Sequence, residues 1–204
     1  ALRGVTRAGV AHPGGARSGF ARFPGGALFP PPRPADGWNP TVRATFTAAA
    51  RRGTPTPAVR AGDHLRVGPW ELAVLSPRGP APAGQDPNDT SVVLDARASD
   101  GPHALLTGDA ESAALRDVTL GPVDLLKVAH HGSQDPGLEA ELAATAPRLA
   151  LISAGRGNPF GHPRADVLAA LGAARVVVRR TDRDGDITVT RRDGALEVAL
   201  LARR

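Results

Sequence analysis

The sequence predicts an α/β fold built as a layered sandwich, and two features of its pattern carry that expectation. The first half reads as a meander of short strands, and the second as strand alternating with helix. With 204 residues and an apolar fraction of 41%, the chain can build one domain, spanning 1–204, around its own core. That core should consist of small side chains, because aromatics make up only 3%.

Each element follows from local chemistry. The stretches 24–40 and 77–88 are crowded with proline and glycine and read as surface loops. A helix over 40–52 has Pro40 in its first turn, an alanine-rich body and Asn39 as its cap. Segments 65–67 and 70–75, split by Gly68-Pro69, form a hairpin, and 91–94 pairs with 104–107 in another. Beyond Asp109 the period changes. Helices are expected over 111–118, 138–144 and 166–171, alternating with strands over 123–128, 149–153 and 175–178. Two last strands, 187–190 and 196–200, flank an Asp193-Gly194 turn, and no internal repeat is present. Helices should cover the outer faces, leaving loops at one sheet edge to carry chemistry.

Composition narrows that chemistry. The chain has no cysteine, so a metal would have to be held by His, Asp or Glu. The net charge is +5 and Lys127 is the only lysine, so nearly all the positive charge is guanidinium. Arginine can grip a phosphate with two hydrogen bonds, and a basic surface attracts nucleic acid. A GC-rich genome writes the same Ala, Arg, Gly and Pro bias, so basicity does not by itself establish a DNA-binding face. No apolar run approaches the ~18 residues of a bilayer span, and the chain is expected to be soluble. It opens mid-pattern at Ala1-Leu2-Arg3 without an initiator Met, as a piece of something longer would.

Three apolar strands stop at polar residues. Leu105-Leu106-Thr107-Gly108 ends at Asp109, Leu125-Leu126-Lys127-Val128-Ala129 runs into His130-His131-Gly132-Ser133, and Leu151-Ile152-Ser153 leads through a glycine-rich loop to Gly161-His162-Pro163. The glycines let backbone approach a ligand, and imidazole with carboxylate suits zinc, manganese or iron. Taken singly, Asp109 could cap the helix that follows, and His162 could be an ordinary loop residue. If 130 and 131 continue the strand, the two imidazoles point opposite ways and only one of them faces the site. Three such ends in order favour a shared pocket.

These segments, with Asn88-Asp89-Thr90-Ser91-Val92-Val93-Leu94 and Arg180-Thr181-Asp182-Arg183-Asp184-Gly185, resemble the carboxy-terminal domain of the ComEC competence proteins. The resemblance implies a metallo-β-lactamase-like αββα sandwich, here lacking its first strands. It also implies attachment to a polytopic membrane protein that passes single-stranded DNA inward, with the domain on the extracytoplasmic face degrading the other strand. The family's His-x-His-x-Asp-His signature falls on 6–15, where Arg7, Gly9 and Ala11 replace three ligands and His12 remains. By that likeness one metal site is lost, and the other keeps His12, Asp109 and His162, enough for at most one zinc or manganese ion. The alternative is a metal-free site. His130 or His131 would protonate a leaving oxygen, the amides of Gly132 and Ser133 would receive a phosphate oxygen, and Arg7 would add charge toward phosphate.

Three functions are weighed. The sequence favours a guiding or scaffolding module that contacts single-stranded DNA without sequence preference and serves the membrane channel of the same protein. The alternatives are a mononuclear metal-dependent phosphodiesterase, with Asp109, His130 and His131 catalytic, and a metallo-hydrolase of a small ester.

Overall fold

A computed structural model describes residues 40–79 and 86–201. The Asn39 cap, the 24–39 loop and the signature segment with Arg7 and His12 lie outside the described residues. Helix α1 (Pro40–Arg51) buries Val42, Thr45 and Ala49, a spacing that places all three on one face. Strands β1 (His64–Val67), β2 (Trp70–Ser76), β3 (Val93–Ala98) and β4 (Ala104–Leu106) form an antiparallel meander. Strands β5 (Leu125–Lys127), β6 (Leu149–Ile152) and β7 (Val177–Arg180) then add parallel to β4, completing a seven-stranded sheet in sequential order. Parallel neighbours need crossovers. These carry the helical turn α2 (Ser112–Leu115) and the helices α3 (Leu138–Thr145) and α4 (Ala165–Ala173).

The short parallel strands are apolar on successive residues because both faces of this half of the sheet are covered. One face sends Leu105, Leu126, Ala150 and Ile152 into a core shared with Leu138, Leu142, Val167 and Leu171 of α3 and α4. The alternate residues Ala104, Leu125 and Leu149 face the other way, where Val189, Leu196 and Val198 pack on them. Those three belong to a second sheet, the hairpin of β8 (Asp186–Arg192) and β9 (Ala195–Leu201). Its turn residues Asp193 and Gly194 both take positive φ, 51° and 77°, as a two-residue hairpin requires. Arg191 of β8 reaches Asp124 at 3.0 Å, fastening the hairpin to the sheet.

The α/β expectation is met, with three local corrections. The helix expected over 111–118 is a single turn, closed by a Val118 N–H to Leu115 carbonyl bond of 2.8 Å ahead of Gly121-Pro122. The last parallel strand begins two residues later than expected. Arg175, left-handed at φ 57°, and Val176 still close the carboxyl end of α4 through bonds to Gly172 and Leu171. A helical turn not foreseen, α5 (Thr181–Asp184), precedes β8. Among the described residues no helix is long and apolar enough to cross a membrane.

One charged group is buried within α3. Glu141 is 5% exposed, and neither carboxyl oxygen has a hydrogen-bond partner among the described residues. Burial and the nearby Asp135 raise its pKa from 4.5 to about 7, against the opposing pull of Lys127. The folded state therefore holds this proton more tightly than the unfolded chain. The resulting stability is fully present below pH 4.5 and is lost as pH rises through about 7. Glu141→Gln should match the wild type near pH 4.5 and exceed it above pH 7 by about 3 kcal/mol in urea unfolding; parity at pH 8.5 would refute the account.

Candidate active site at the carboxyl edge of the parallel strands

Strands β4, β5 and β6 run in the same direction, with Leu106, Lys127 and Leu151 side by side in register. The residues that follow them therefore emerge at one edge, the place where open α/β sheets present ligand-binding loops. The loops are tied together there. His130 N–H bonds to Gly108 O at 3.3 Å, Val128 N–H to Leu151 O at 2.9 Å, and Thr107 Oγ1 donates to Lys127 O at 2.6 Å. The ammonium of Lys127 donates to the carbonyls of Gly108 and Val128, fastening the Asp109 loop to the histidine loop.

Beyond β5 the backbone does not continue as a strand. His130 and His131 take left-handed conformations (φ 44°, ψ 44° and φ 60°, ψ 16°), and Gly132 follows at φ 79°. Opposed side-chain directions apply to extended chain, so the expectation that only one imidazole faces the site is corrected. The rings of His130 and His131 lie 6.2 Å apart, and His162 lies 5.7 Å from His130. His130 Nδ1 pairs with Glu111 Oε1 at 2.8 Å. His131 Nδ1 donates to the Ser153 carbonyl at 2.5 Å, and its Nε2 lies 3.8 Å from Asp109 Oδ1. Asp109 is 1% exposed and does not cap α2; Glu111 occupies that cap position, while the Ser112 amide bonds to Asp135 at 2.9 Å.

His162 is held through its backbone. Asn158 accepts the His162 N–H at 3.1 Å and donates to the His162 carbonyl at 2.7 Å. Burial, together with the nearby His130, His131 and Arg164, lowers the pKa of His162 and so favours its neutral form. The loop bearing Ser153 and Ala154 is anchored from α5, where Thr181 Oγ1 donates to Ala154 O at 2.8 Å and accepts its N–H at 2.9 Å.

Four predicted site residues are thus brought together: Asp109, His130, His131 and His162. Arg7 and His12 lie outside the described residues. Ser133 sits beside the cluster, but its amide, expected to receive a phosphate oxygen, donates instead to His130 O at 2.9 Å and closes the turn. Sequence reasoning missed the partners: Glu111, read only as the start of a helix, and Asn158, whose position before Pro159 in a glycine-rich loop suits side-chain bonds to nearby backbone. Among the described residues no three His, Asp or Glu side chains are arranged to hold a metal ion. The described residues alone thus do not form a complete metal site.

The chain is thus an α/β protein with an imidazole–carboxylate cluster at the carboxyl edge of its parallel strands. Comparison with known proteins narrows the class. No family model matches the chain. It is 36% identical over 152 residues to ComE operon protein 3 of Bacillus subtilis (strain 168), covering 72% of this chain and 19% of that protein. It is 30% identical over 190 residues to Recombination protein 2 of Haemophilus influenzae, covering 92% of this chain and 22% of that protein. The chain belongs with the ComEC-like competence proteins, and spans about a fifth of the length of these two relatives.

Gly132 gives the site a direct structural test. A Cβ there would meet Pro163 Cβ at 2.6 Å, in a backbone conformation that L side chains rarely adopt. Gly132→Ala should cost roughly 1–3 kcal/mol in denaturant unfolding and loosen the contact between the His130 and His162 loops. An alanine variant as stable as the wild type would refute this.

Proposed function

We propose that this chain is the DNA-handling part of a DNA-uptake protein and that its imidazole cluster hydrolyses phosphodiester bonds. The observation that carries the reading is the left-handed backbone at both His130 and His131. Each non-glycine residue held there costs on the order of 1–3 kcal/mol, and such strain concentrates at functional sites. A module that only guides DNA through its charge has no use for it.

The chemistry follows from the hydrogen bonds. Hydrolysis needs one group to take a proton from the attacking water as its oxygen bonds to phosphorus. It needs a second to return a proton to the departing oxygen as the P–O bond breaks. With Nδ1–H donated to Glu111, His130 leaves Nε2 as the atom to accept the water's proton. With Nδ1–H donated to Ser153 O and Nε2 3.8 Å from Asp109 Oδ1, His131 supplies the second proton in this proposal. A divalent ion, zinc or manganese, held by His12 with Asp109 and His162, would stabilise charge on the phosphate when bound.

The guiding module is the second reading. It is favoured by the net charge of +5. In this proposal the chain sits on the extracytoplasmic side, beside the membrane channel of its own full-length protein. A small ester as substrate has no residue here to favour it.

Labelled single-stranded DNA, incubated with the chain with and without manganese or zinc, separates the readings. Cleavage should occur and fall at least a hundredfold in His131→Ala, with DNA binding retained. Binding that is steeply salt-dependent, without cleavage under either condition, would replace the hydrolase with the guide. Metal analysis of purified protein should find about one ion per chain, lost in Asp109→Ala; equal metal content in the two would remove the ion from the proposal.

A further inference from the structure

Phe160 is the most exposed of the large apolar side chains among the described residues, at 72%. Burying such a ring is favourable, so a ring left in water beside a polar cluster calls for a partner. It sits on the lip of the site, its ring centroid 6.1 Å from that of His162 and tilted by 39°. Its presentation is built. Asn158 closes the loop beneath it with bonds to Gly155 O at 3.0 Å and to the backbone of His162 on both sides, and Gly157 and Gly161 take left-handed turns at φ 63° and 69°.

Two arginines share the loop with the ring, four residues before it and four after it. Arg156 and Arg164 are both exposed, and Arg156 Nε makes a long bond of 3.4 Å to Asp182 O. An exposed π-face on a loop that also carries two exposed guanidinium groups fits an unstacked base and its neighbouring phosphates. Duplex DNA offers no such base, because its rings are already stacked. An aromatic one residue from Gly161 and two from His162 would thus select single strands and set a neighbouring phosphodiester against the imidazoles.

We propose that Phe160 is a base-stacking platform that gives the site its preference for single-stranded DNA. The inference rests on the DNA-handling reading above but concerns binding alone, so it can fail or stand independently of cleavage. Fluorescence anisotropy with a labelled 20-mer of deoxythymidine, the same strand made abasic, and a duplex of equal length tests it on the 204-residue chain.

Phe160→Ala should weaken binding of the thymidine strand by roughly tenfold and leave the duplex and abasic strands unchanged, because stacking one base is the only contact removed. Phe160→Trp should restore affinity, and its added indole emission should be quenched by the thymidine strand and not by the abasic one. Equal losses for all three ligands, or no loss for any, would overturn the proposal. So would vesicles of anionic phospholipid that bind the wild type and not Phe160→Ala while thymidine-strand affinity stays the same, because the ring would then be a lipid anchor. Selective loss in Phe160→Ala from a wild type that cleaves nothing would sink the hydrolase and keep the platform. Cleavage without any effect of Phe160→Ala on strand affinity would do the reverse.

Discussion

The site depends on the parallel register of three short strands and on the single ammonium that fastens their ends. Leu106, Lys127 and Leu151 lie side by side across β4, β5 and β6, so Asp109, His130 and the Ser153 loop leave the sheet at the same height. Lys127 bonds the carbonyls of Gly108 and Val128, one in each neighbouring loop. In a chain where every other Lys or Arg is an arginine, the one compact ammonium is placed between two converging carbonyls. The apolar residues of these strands are buried on both faces, so the register resists slippage: a one-residue shift would exchange the helix-facing and hairpin-facing sets.

That rigidity is what permits strain at the edge. A left-handed imidazole persists only where its surroundings over-determine it, and both histidines are fixed from several sides. Glu111 and Ser153 O hold the rings, Gly108 O holds the His130 amide, and the Ser133 amide closes the turn on the His130 carbonyl. Pro163 then packs so close to Gly132 that no side chain fits between them, bringing the His162 loop against the turn. Backbone strain, close packing and imidazole placement are therefore one arrangement.

Most of the architecture was legible because both periodicities were plain. The meander, the strand–helix alternation and the Asp193-Gly194 hairpin follow from pattern and turn chemistry, and the three polar strand ends pointed to one edge. What failed did so where local rules compete. Helical propensity over 111–118 lost to the tight closing turn in which the Val118 N–H bonds to Leu115 O, and to the breaker pair Gly121-Pro122 beyond it. Arg175 read as strand but serves as a left-handed helix end, a role usually given to glycine. The rule of alternating side chains failed at His130 and His131 because their backbone conformation depends on contacts from three other loops, which no local window contains. Glu111 was hidden for the same reason: its partner is 19 residues away in sequence.

The buried Glu141 shows how the same edge connects to the helix layer. Lys127 lies near enough to lower its pKa, and Asp135 near enough to raise it. These two residues also hold the site: Lys127 joins the Asp109 and histidine loops, and Asp135 binds the amides of Ser112 and Gly137, each at the start of a helix. A carboxylate formed inside α3 would therefore draw on the ammonium that fastens the strand ends and push on the carboxylate that seats α2 and α3. Because buried charges interact over short distances with little screening, ionising Glu141 stresses the site's supports and not α3 alone. The stability of the helix layer and the geometry of the imidazole cluster are thus coupled through two side chains, neither of which belongs to the cluster itself.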